Sequence, residues 1–307
     1  MDGALCRIAI VVLIVVALLP SSLPAGEAAS FCPGSDDRYR SPLYQVTSAD
    51  GEPAFVYWHE NAWKRVPDEK GGTRPYDAMS ADDHWVALSA GGEVNLTIRA
   101  VGIAPETVEL LPPRPGNSAT IAADGSVQVK LALSADHPGY YFLRINAAHG
   151  DKHPLFIFAD PPETDVPARG PGVHFFGPGV HDIGPHYAVK GGETVYLAPG
   201  AVVRGTLTAR GANVRICGRG VLSGELLQEE WIRHKRGFVA KPEDARGHGI
   251  APMVWNAAWL GSTTVEGITI IDSPSYNLNL TGRFTVRNVK LLSWNYSTDG
   301  VGGTGGT

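Results

Sequence analysis

The chain has 307 residues, 43% hydrophobic and 19% charged, with a formal net charge of −5. That hydrophobic share excludes an intrinsically disordered chain, and mild acidity without a polybasic run gives no footing for nucleic acid. Plentiful glycine (37) and proline (23) argue for short strands and tight turns rather than a helical bundle.

The N-terminus carries Arg7, then an apolar run over residues 8–19, Pro20 and Pro24, and small residues across 25–30. This order reads as a signal peptide over 1–30. It predicts a secreted protein, extracellular or periplasmic, with no membrane contact after cleavage. The apolar run is short for a bilayer span, so an uncleaved anchor is the weaker alternative. Behind the leader only Cys32 and Cys217 remain. No disulfide framework is expected from them, and Cys217 reads as a small buried hydrophobe.

Residues 31–165 read as an antiparallel β-sandwich followed by its linker. Val127, Val129, Leu131 and Leu133 alternate with Gln128, Lys130, Ala132 and Ser134, the period of a half-buried strand. Asp124-Gly125 before them is a hairpin signal. Val94, Leu96 and Ile98 alternate likewise, and residues 140–145 and 155–158 add further strands. Trp58, Trp63 and Trp85 can stack on sugars, but core filling is the preferred reading. His59, His84, His137 and His153 show no metal-ligand spacing and are assigned surface or structural places. No metal and no cofactor are expected. The proline- and glycine-rich stretch from Asp160 to Gly172 marks the linker.

From 166 onward the strand-like pieces shorten, with a turn residue after each. Residues 194–197, 202–207, 214–217 and 221–222 follow in quick succession with no helical period between them. Thr264-Val265-Glu266-Gly267-Ile268-Thr269-Ile270-Ile271 matches Thr285-Val286-Arg287-Asn288-Val289-Lys290-Leu291-Leu292. Three short strands per repeat is the demand of one coil of a parallel β-helix. Ile268 and Ile270 then stack on Val289 and Leu291. Residues 225–246, with Leu226, Leu227 and Trp231, read as a short helix or an excursion from the coil. The fold class expected is all-β: an N-terminal antiparallel β-sandwich, then a right-handed parallel β-helix over 166–307.

Residues 175–207 (FFGPGVHDIGPHYAVKGGETVYLAPGAVVRGTL), 214–225 (VRICGRGVLSGE) and 288–301 (NVKLLSWNYSTDGV) resemble the pectin-lyase-like superfamily. More narrowly they resemble the polygalacturonase-type enzymes of glycoside hydrolase family 28 and the dextranase and isopullulanase enzymes of family 49. The layout of a sandwich before a β-helix is similar to family 49, and also to a bacterial family 28 relative. The resemblance implies a hydrolase that inverts at the glycosidic carbon of a polysaccharide, pectin-like or dextran-like. Ser297-Thr298-Asp299-Gly300 is similar to the Asn-Thr-Asp-Gly motif of the polygalacturonases, with Ser297 in place of Asn. It implies that Asp299 is a catalytic carboxylate that helps activate water; Ser297 within the motif, Tyr296 beside it and Asn279 one coil before are the candidate substrate-binding residues. Without the resemblance, Asp299-Gly300 reads as an ordinary turn. Asn277 and Asn279 fit either the cleft or an asparagine stack inside the turns. Tyr276, Trp294 and Tyr296 fit sugar stacking or packing.

Family members carry an Asp-Asp pair after this motif and a Gly-His-Gly segment further on. The chain stops at Thr307, so the β-helix is expected to be incomplete at its C-terminus and little hydrolysis is expected from these residues alone. A non-catalytic carbohydrate-binding β-helix is the competing class, because a fold does not fix a function. A calcium-dependent lyase ranks last, since no acidic cluster on adjacent coils is legible.

Overall fold

The computed structural model describes residues 29–60, 82–133, 139–146, 153–227, 252–256, 261–293 and 298–305. Residues 1–28 of the expected leader, Trp63, His137, Trp231, Trp294, Tyr296 and Ser297 lie outside the described residues, while Ser30 falls in a described strand. Within them the regular structure is β-strand apart from two 3-10 turns, Asp37–Tyr39 and Glu225–Leu227. The chain is all-β. The helix expected after Glu225 is described only for that one turn.

Two sheets come first. An antiparallel sheet of four runs Tyr44–Ser48, Glu93–Ala100, Val127–Ala132, Ser118–Ile121. A sheet of six runs Ser30–Phe31, Asp83–Ser89, Leu155–Asp160, Gly139–Ile145, Val108–Leu111, with Val56–His59 branching from Asp83–Ser89. The alternation along the chain sets the burial. Val94, Leu96, Ile98, Val127, Val129 and Leu131 of the smaller sheet meet Val86, Leu88, Leu143 and Ile157 of the larger one in a single cluster. Pairing in the larger sheet departs from the antiparallel expectation at one place: Leu155–Asp160 runs parallel to Asp83–Ser89. The two strands are far apart in sequence, so no hairpin fixes their relative direction.

The remainder winds into five coils with three faces, every strand parallel to its counterpart in the next coil. Face I stacks Val173–Phe176, Thr194–Leu197, Val214–Gly218, Ser262–Glu266 and the end of Leu278–Arg287. Face II stacks the starts of Gly179–Lys190 and Ala201–Arg210, then Val221–Ser223, Thr269–Ile271 and Lys290–Leu292. Face III stacks the ends of Gly179–Lys190 and Ala201–Arg210, then Val254–Asn256, the start of Leu278–Arg287 and Val301–Gly305. Thr264 lies on Thr285 and Ile270 on Leu291, so the offset of the sequence repeat is the register of two successive coils.

Inward rows fill the coil interior. Val195, Ile216, Val265 and Val286 stack on face I, and Val203, Leu222, Ile270 and Leu291 on face II. Each buried aliphatic side chain contributes about 1.5–3 kcal/mol against leaving it in water. Gly218 turns the corner from face I at φ +123°, and a Cβ there would strike the Leu197 carbonyl. Only glycine fits so close to a neighbouring coil.

The outer surfaces of the three faces differ. Face II presents Val202, Val221, Ile271 and Leu292, which Tyr57, Trp85 and Phe158 of the larger sheet cover together with Tyr39 and Phe55 beside it. Trp85 therefore takes the core place expected of it, stacked on Tyr57 at 5.0 Å, while Trp58 is half-buried. Face I is overlain by residues 161–165: Tyr196 donates to Glu163 at 3.1 Å, and Arg215 pairs with Asp165 at 2.8 Å. Cys217 is 3% exposed there, and burial pushes its thiol up to about 11. Face III carries Trp255, 38% exposed, at its centre.

Candidate functional site

The outward row of face III runs Ala188, Thr208, Trp255, Asn279, Gly302 across all five coils. Its geometry follows from strand periodicity. Val254 and Leu278 point into the core, so Trp255 and Asn279, one residue on, point away from it. Neighbouring coils stand about 4.8 Å apart, so the indole and the amide sit on consecutive steps of one ladder.

Asp299 stands where the chain enters the fifth strand of this face, with its side chain exposed. Tyr276 reaches it from the preceding coil. The phenol faces the Asp299 carboxylate, and hydrogen bonding to it together with its negative charge raises the Tyr276 pKa. The Tyr276 ring lies over Gly302, where a Cβ would come within 2.8 Å of it. Glycine at 302 is thus what lets an aromatic ring lie across the row beside the carboxylate.

Asn277 holds this turn in place. It is 2% exposed. Its backbone N–H donates to the Asp299 carbonyl at 2.9 Å, and its side-chain amide donates to the Thr298 and Asp299 carbonyls at 3.2 and 3.3 Å. Ser293 Oγ donates to its Oδ1 at 3.0 Å. A buried amide satisfied on both ends fixes the backbone that carries Asp299.

Of the residues singled out from the sequence, Asp299 and Asn279 share this surface. Tyr296 and Ser297 fall outside the described residues. Of the pair with two readings, Asn277 is inside the turn and Asn279 on the outer row. Trp255 and the Tyr276–Asp299 contact were missed. A three-residue strand with one exposed tryptophan has too short a pattern to reveal its facing.

Two cavities lie elsewhere. One of about 620 Å³ lies beside face I under residues 161–165. Its cations are already matched, Arg215 and Arg287 both pairing with Glu266 at 2.7 and 2.6 Å. The other, about 310 Å³, lies between face II and the larger sheet and is lined by Trp58, His59, Glu60, Arg204, Glu225 and Asp272. There Arg204 pairs with Asp182 and Glu225, and Tyr39 donates to Glu225 at 2.8 Å. Both read as interface chemistry joining the β-helix to what precedes it.

These features define an all-β protein with a parallel β-helix that carries a polar–aromatic row on one face. No protein-family model matches the chain, and no curated protein matches it either. Among solved structures the chain is similar to Dex49A from Penicillium minioluteum, with a TM-score of 0.65 and 17% sequence identity. The match covers 85% of this chain and 60% of the Dex49A chain. At this identity the likeness shows the fold.

Proposed function

We propose that the chain belongs to a secreted polysaccharide hydrolase: a signal peptide over 1–30, an antiparallel sandwich with linker over 31–165, and a right-handed β-helix over 166–307 that carries the glycan-binding face. The observation that supports this most is the row Trp255–Asn279–Gly302 with Asp299 beside it, on a fold similar to that of Dex49A. Of the two resembling groups, that neighbour favours the family 49 type and a dextran-like, neutral glycan. The row itself fits such a substrate, since it offers an indole and an amide and no cation.

In this reading the sugar stacks on Trp255, Asn279 hydrogen-bonds its hydroxyls, and Asp299 activates the attacking water. Tyr296 and Ser297 border the same carboxylate in sequence and complete the binding set. Inversion needs two carboxyls about 6.5–9.5 Å apart, a span of one to two coils, and a stiff ladder holds such a spacing. Release of reducing ends from dextran and from polygalacturonate tests it. Asp299→Asn is expected to lower the rate by about 10²–10⁴-fold while leaving glycan affinity intact. Hydrolysis that survives Asp299→Asn would place the chemistry elsewhere.

One observation favours the second reading, a non-catalytic glycan-binding β-helix. Among the described residues, the outward row of face III holds no carboxylate, and Asp299 at its entrance is alone in that role. Binding without any hydrolysis would select it.

A further inference from the structure

The parallel pairing of Leu155–Asp160 with Asp83–Ser89 has a chemical consequence away from the β-helix. Leu155 lies opposite His84, which sets His153 alongside Asp82 where both strands begin. Residues 82 and 84 are two apart and share one side of their strand. A carboxylate oxygen of Asp82 and one ring nitrogen each of His84 and His153 lie within 4.8 Å of one another. The spacing in sequence hides this, because the histidines come from separate strands.

We propose that Asp82, His84 and His153 bind one divalent first-row transition metal, with zinc as the best chemical match. Two imidazoles and one carboxylate form a borderline donor set suited to zinc, whereas calcium and magnesium seek oxygen. A zinc ion sits about 2.0–2.2 Å from each donor. The three donors therefore draw in towards a common centre by up to about 0.7 Å to close the site. The three side chains leave a fourth position for water or another ligand.

The surroundings hold the ligands as a metal site requires. Ser41 Oγ lies 2.9 Å from Nδ1 of His84, which leaves Nε2 as the ring nitrogen that can face a metal once Nδ1 carries the ring proton. The same hydroxyl accepts the backbone N–H groups of Leu43 and Tyr44 at 3.1 and 2.9 Å, which anchors it. The Tyr44 ring packs edge-on against His84 at 5.2 Å, and its hydroxyl donates to the His153 carbonyl at 2.6 Å. One turn thus orients the His84 ring and anchors the backbone of His153, support of the kind that fixes ligands in metal sites. His84 itself is 1% exposed.

Calorimetric titration of the chelator-treated full chain with zinc chloride tests the proposal, with cobalt absorption as an independent readout of imidazole ligation. One ion per chain is expected, with a rise in the thermal midpoint on loading. Asp82→Asn and His153→Ala are each expected to weaken binding by at least about 10-fold and to leave the metal-free midpoint nearly unchanged. His84 is too buried for its removal to be decisive, so these two variants carry the test. Absence of binding at about millimolar zinc, or binding that neither variant weakens, would overturn the proposal.

Discussion

Asn277 shapes the candidate site more than the residues that touch its solvent. Its amide bridges a carbonyl pair and a serine across two coils, so the carboxylate of Asp299 inherits a fixed starting point. Asn277→Ala strands those buried partners and is expected to cost about 2 kcal/mol, measured by urea unfolding. It should also reduce any activity that depends on Asp299. Trp255→Ala removes stacking surface without touching the core, and the expected outcome is about 10-fold weaker glycan binding at an unchanged thermal midpoint. A four-residue motif singles out Asp299 in the sequence, and the structure sets it at the entrance to the fifth strand of face III. Trp255 was not legible in the sequence, because the information that turns it outward lies in the register of neighbouring coils.

At the scale of elements, the match between 264–271 and 285–292 revealed the stacking before any coordinate, since side chains that share a ladder must share a pattern. The burial of face II was hidden. Val221–Ser223, Thr269–Ile271 and Lys290–Leu292 are three-residue strands with interior on one side and the larger sheet on the other. Burial on both sides erases the alternation that would have assigned sides. Lys290 shows what the contact demands. Its ammonium, 3% exposed, donates to Asp160 at 2.5 Å and to the Gly267 carbonyl at 3.0 Å. Burial pushes its pKa below the ordinary lysine range and the Asp160 charge pulls against that. Removing one partner leaves a buried charge, so Asp160→Asn and Lys290→Met are each expected to destabilise by about 3–5 kcal/mol. The double substitution should cost less than their sum, as a double-mutant cycle on unfolding free energies will show.

For the molecule as a whole, the β-helix and the two sheets before it are joined by an imidazole between aspartates. His59 Nε2 lies 2.6 Å from Asp272 of the β-helix, and Nδ1 lies 3.6 Å from Asp83 of the larger sheet. Burial works against the charged ring, but the two carboxylates outweigh it and raise the His59 pKa to about 10. A raised folded pKa contributes stability that is whole below the unfolded value near 6.5 and is lost as pH climbs through about 10. Unfolding free energies at pH 6, 8 and 10 should therefore fall for the wild type more steeply than for His59→Gln. Among the described residues no helix is long and apolar enough to cross a membrane.

Affinity electrophoresis through gels containing dextran tests most directly whether face III is a glycan surface. Both the hydrolase and the binding readings require it to be. The wild type and Asp299→Asn should be retarded alike, and Trp255→Ala should run nearly as fast as in a gel without polysaccharide. Equal mobility of all three proteins with and without glycan, or retardation unchanged by Trp255→Ala, would contradict a polysaccharide site on this face.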